Sequence, residues 1–199
     1  MYLGVATLSE TDVLTKAQGL VSTIKWIEAT YGRAALDEVL AACSPAVRAR
    51  CASVLAIEWV PVAEVVEFVG AADRLLSTGT GKLAEAAGEA GAREGVRSPL
   101  LRAAFYLAKP EFLMRRTASV WSQYCDSGEM HVRTFDARAA TFEVTGADET
   151  HPIFCALLTG WLREIARATG VVSPAVRHAE CLARGQERCL WELRWTEVA

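Results

Sequence analysis

Apolar and polar positions fall into two regimes along the chain, helical in period over the first two thirds and alternating in much of the rest. From Ala17 to Ile27, the residues Leu20, Val21, Ile24, Trp26 and Ile27 form one broad apolar face, closed by Tyr31-Gly32. Ala34 to Ala42 is a second short helix. Ser44-Pro45 opens a third, since serine caps free N–H groups and proline suits the first turn. Pro61 opens a fourth, where Val62, Val65, Val66 and Val69 recur at helical spacing. After a loop at Ser77-Thr78-Gly79-Thr80-Gly81, Lys82 to Gly95 is a weaker helix, because each interior glycine costs about 1 kcal/mol against alanine. Ser98-Pro99 caps another helix. Lys109-Pro110 starts one that reaches Tyr124, with Phe112, Leu113, Val120 and Trp121 as inner residues.

Beyond Ser127-Gly128 the period becomes two. Met130, Val132 and Thr134 alternate with His131, Arg133 and Phe135, and Thr141 to Thr145 is a second short strand. Thr150 caps a strong helix from His151 to Thr169, and Gly170 ends it. Two strands follow, Val171 to Cys181 and Cys189 to Trp195; in the second, Cys189, Trp191, Leu193 and Trp195 share a face. The pattern predicts one α+β domain over residues 1–199. Residues 1–125 form its helical part, and residues 128–196 form β-β-α-β-β with an antiparallel sheet packed on helices.

Hydrophobic residues make up 52% of the chain and charged residues 23%, an ordinary globular composition with enough apolar side chains for a core. A net charge of −3 argues against a general nucleic-acid binder. Met1 to Thr7 lacks the basic lead and long apolar run of a signal peptide, and no stretch approaches the ~18 apolar residues of a membrane span. The expected location is the cytoplasm, where the six cysteines stay reduced.

Cys181 and Cys189 flank a turn containing Gly185, His178 lies three residues before the first, and Cys155 lies on the strong helix upstream. Three thiolates and an imidazole are the donors that tetrahedral zinc prefers. Buried apolar cysteines are the alternative, since cysteine is among the residues most often found inside. In a straight strand His178 and Cys181 would point to opposite faces about 10 Å apart. The strand must therefore bulge or end near Glu180. Four filled positions leave none for water, so such a metal is structural. Glu180 is placed to accept from the imidazole or to stay solvated.

No Ser/His/Asp or Cys/His catalytic set remains, so the chain is expected not to be an enzyme. Gly79-Thr80-Gly81-Lys82 lacks the spacing of a phosphate loop. Phe105, Tyr106, Phe112, Trp121 and Phe135 either line a cavity for a small apolar or aromatic ligand or fill a core.

The element order, with Cys155 on the long helix and His178-x-x-Cys181-x7-Cys189 after it, resembles the 4-vinyl reductase domain family and the sensor domains of phenol-responsive regulators. Their fold group includes Bet3-type (TRAPP-like) tethering subunits and, more distantly, heme nitric-oxide sensors. The resemblance covers roughly residues 90–196. His178 stands where that family carries glutamate, and Gly185 matches its turn glycine. The helical front half is also similar to a myxobacterial paralogous family of unknown function. These resemblances imply a cytoplasmic, ligand-binding sensory domain with a structural zinc site, pairing as a homodimer through the first 80 residues. A protein-interaction scaffold or adaptor of the same fold, with a protein partner and no ligand, is the alternative. Heme is not expected. The Tyr-x-Ser-x-Arg pattern of the heme sensors is missing, and no histidine precedes the first strand of the ββαββ part.

Overall fold

A computed structural model describes residues 12–96, 109–119, 121–147 and 150–198. The helical period yields α1 (Gln18–Tyr31), α2 (Arg33–Ala41), α3 (Pro45–Ser53), α4 (Val62–Leu76) and α5 (Lys82–Gly95). Ser44 caps α3, its side chain accepting from the Val47 N–H. The first part is not wholly helical. β1 (Leu14–Lys16) and β2 (Trp59–Pro61) pair antiparallel, Leu14 opposite Pro61. Three residues are too few to display a period of two. The helix expected at Ser98-Pro99 lies outside the described residues. Helix α6 (Pro110–Ser119) is shorter than predicted, and a 3-10 turn at Trp121–Gln123 follows.

The second part carries β3 (Glu129–Phe135), β4 (Ala139–Thr145), α7 (Pro152–Ala168), β5 (Val171–Val172), β6 (Ala175–Glu180), β7 (Cys189–Arg194) and β8 (Glu197–Val198). Four of these strands form an antiparallel sheet in the order β3-β4-β7-β6. The single strand predicted from Val171 to Cys181 is split at Ser173-Pro174. Ser173 has φ +52 and proline has no N–H for a ladder, so β5 leaves the sheet to pair with β8. His151, rather than Thr150, caps α7: its backbone is extended and its Nδ1 accepts from the Ile153 N–H at 3.1 Å.

Two hydrophobic cores result. One lies among α1 to α5, around Leu20, Ile27, Val39 and Phe68. The other lies under the sheet, around Met114, Phe142, Cys155, Leu162, Trp191 and Leu193. Helix α7 serves both, with Ile153, Ala156 and Leu157 against the first and Cys155, Leu162 and Ala166 in the second. It crosses α5 closely at Gly88 and Gly160: a Cβ on Gly160 would lie 1.8 Å from the Glu85 carbonyl oxygen, and one on Gly88 2.0 Å from that of Leu157. Arg163 then bonds Glu89 at 2.7 Å and Glu85 at 2.8 Å across the same crossing.

Candidate metal centre

The sheet and α7 bring Cys155, His178, Cys181 and Cys189 together, with their ligand atoms all within 4.8 Å of one another. Cys155 stands in the first turn of α7, Cys189 begins β7, and His178 is the cross-strand partner of Trp191 on β6. The register shifts between His178 and Glu180: His178 faces Trp191 while Glu180 faces Leu190. Ala179 is thus one residue too many for the ladder, and the bulge turns Cys181 back to the face of His178. Beyond it, Leu182–Arg184 form a 3-10 turn, and Gly185 closes it at φ +79. The Gln186 side-chain oxygen accepts from the Cys181 N–H and holds the turn against the ligand strand.

The Cys155 sulfur lies 3.8 Å from that of Cys189 and 3.9 Å from that of Cys181. These separations are far beyond the ~2.05 Å of a disulfide. A regular tetrahedron with edges of this length has its centre about 2.3 Å from each corner, a length at which thiolates hold a metal ion. All three sulfurs are buried, and the His178 Nε2 is buried with no hydrogen-bond partner. An orphaned ring nitrogen beside three thiols has the chemistry of a ligand, since leaving it unpaired in a core is costly.

The thiols do not ionise alike. Cys189 is pulled down to about 4, chiefly by accepting from the Cys155 thiol and further by the His178 ring and the Leu182 N–H, which lies 3.4 Å away. Cys155 is pushed up because it donates to Cys189, and burial pushes Cys181 up. Cys189 is therefore the thiol drawn toward the thiolate form. Glu180 does not reach the imidazole. Arg188 takes it across the hairpin at 2.9 and 3.0 Å and holds its carboxyl below the ordinary range.

Of the aromatic residues expected to line one pocket, the three that are described do not gather into one. Phe105 and Tyr106 lie outside the described residues. Phe112 is 64% exposed, because Leu113 and Met114 take the inner side of α6. Phe135 packs on Trp195. Trp121 donates its Nε1–H to the Ser127 carbonyl and borders a cavity of only about 20 Å³, shared with Cys125, Phe154 and Leu158. Cys125, which the sequence did not single out, bridges to Thr15 and has its thiol pushed up to about 12 by burial. His131 is exposed beside Glu129.

No family model and no curated protein sequence matches the chain. Solved structures do. An unliganded Fe(II) H-NOX protein mutant from K. algicida superposes with a TM-score of 0.70 at 12% identity, over 92% of this chain and 97% of that one. An H-NOX protein from S. oneidensis in the Fe(II)NO state gives 0.67 at 14% identity, over 92% and 99%. A third match is described as probing heme distortion in the H-NOX family, with a TM-score of 0.65 at 11% identity. These matches correct the resemblance to 4-vinyl reductase and Bet3-type domains. They also remove the exclusion of heme as an argument from the fold, and they give the expected zinc no support, since their descriptions name Fe(II) and heme. The ββαββ order is common to several folds, and the ligand spacing alone could not choose among them. The chain has the fold of H-NOX domains.

Proposed function

We propose that the chain is a non-enzymatic sensory domain of the H-NOX fold. In this reading a thiophilic metal ion bound by Cys155, His178, Cys181 and Cys189 fastens the closing hairpin of its sheet to α7. The observation that carries the metal reading is the convergence of four ligand atoms, one of them an unpartnered buried imidazole nitrogen. All four positions are filled by protein, so the ion has no open coordination site and its role is structural. The sensory part rests on the likeness to H-NOX proteins, one of them described with NO bound.

Heme does not fit the described residues. Among the described residues, the cavity bordered by Trp121, Phe154 and Trp191 has room for about one water molecule, and no histidine borders it. A larger open groove of about 580 Å³ runs past His151, whose Nδ1 is taken up by the α7 cap. His178 is enclosed among the thiols.

Elemental analysis of the purified chain should find about one thiophilic metal ion per molecule. A chelator should lower the melting temperature, and Cys181→Ser or Cys189→Ser should do so without chelator, whereas His178→Ala should weaken the metal less. Metal-free protein with thiols that all react in the folded state would overturn the metal reading. For the sensory part, native mass spectrometry of the purified protein reads any retained small molecule, and its melting is followed on exposure to NO. Absence of both a retained molecule and an NO-dependent change in melting would overturn it.

A further inference from the structure

Three of the metal-site residues are tied together by two side chains that are not ligands. Thr159, one turn beyond Cys155 on α7, donates its hydroxyl to the Cys155 carbonyl at 2.8 Å. The same oxygen accepts the Trp191 Nε1–H at 3.0 Å. Trp191 lies two residues after Cys189 on the same inward face of β7, and its ring stacks on His178 with centroids 4.6 Å apart and planes 16° apart. Thr159 is 4% exposed and Trp191 1%. The His178 Nε2 has no hydrogen-bond partner, and the indole face packs flat against the ring.

From these contacts we infer that Thr159 and Trp191 are positioning residues of the metal site: the hydroxyl on α7 holds the indole, and the indole holds the imidazole in the orientation the ion requires. The inference rests on the metal-centre reading and deepens it. Side chains held in one orientation lose less freedom when an ion binds, which removes part of the entropy cost that binding would otherwise carry. Supports of this kind orient ligands and commonly change metal affinity by about 10–100-fold when removed. A core role alone would make different demands: valine fills the volume of Thr159, and phenylalanine keeps a ring at position 191.

The test titrates metal-free full-length protein with Co(II) and follows the thiolate charge-transfer and d–d bands. Thr159→Val and Trp191→Phe should each keep the wild-type far-ultraviolet circular dichroism but bind Co(II) about 10-fold more weakly or worse. Thr159→Ser should restore wild-type affinity. Trp191→Leu, which also loses the stacking, should shift the d–d bands toward those of His178→Ala. If Thr159→Val does not fold, Trp191→Phe and Thr159→Ser decide the matter alone. Wild-type affinity and bands in Trp191→Phe and Thr159→Val would overturn the positioning role while leaving the metal centre intact. Absence of a thiolate band in the wild type would overturn both.

Discussion

At the scale of single residues, the site depends on one surplus residue and on unequal thiols. His178 and Cys181 are three apart, so a regular strand would send one of them to solvent. The sequence therefore demanded a break near Glu180, and the bulge at Ala179 supplies it. The support from Thr159 and Trp191 was not legible, because it joins residues 32 apart across a helix and a strand. The thiol asymmetry has a measurable consequence. The hydrogen bond from Cys155 draws Cys189 toward the thiolate, whereas Cys155 and Cys181 are pushed toward keeping their protons. Metal binding at pH 7 should then release about two thiol protons rather than three. Affinity should fall by roughly a hundredfold for each unit the pH drops. Calorimetry in buffers of different ionisation enthalpy reads the proton count directly. A release of about three thiol protons at pH 7 would contradict the shared-proton arrangement.

At the scale of elements, the glycines of α5 show what propensity leaves out of a helix. Gly88 costs helix stability in isolation, yet it lets α7 approach until backbone meets backbone. Nothing local in Lys82 to Gly95 announces a partner some seventy residues away. Strands β1 and β2 escaped notice for a different reason, being too short for a period. Phe112 was misassigned because Leu113 and Met114, next to it on α6, take the inner side instead. The glycine argument predicts opposite outcomes for two alanine substitutions. Gly160→Ala places a methyl 1.8 Å from the Glu85 oxygen, so the helices must part, at a cost of about 3 kcal/mol or more. Gly19→Ala, in α1 with nothing within 4 Å of the new methyl, should stabilise by roughly 0.5–1 kcal/mol. Urea denaturation of both variants checks the pair, and equal losses would remove the case for a close crossing.

At the scale of the whole molecule, two cores share one helix, and only one of them contains the candidate ligands. Cys155, Cys181 and Cys189 belong to the core beneath the sheet, whereas the core among α1 to α5 contains none of the four residues. Strand β6 is an edge of the sheet. The hairpin it makes with β7 would be marginal without a partner, so a metal tie to α7 should contribute most there. Removing the ion should therefore not loosen the molecule evenly. Local opening free energies differ across a structure according to what holds each region. Hydrogen exchange on chelated protein should show lost protection in β6, in β7 and at the start of α7. The amides of α1 and α2, whose packing on α4 and α5 needs no ligand residue, should exchange as slowly as before. Arg163 with Glu85 and Glu89 should keep the later turns of α7 on α5 in both states. A uniform loss of protection across both cores would mean that the ion supports the entire fold rather than its closing hairpin. Unchanged protection at β6 and β7 would mean that the hairpin is held by packing around Trp191 alone.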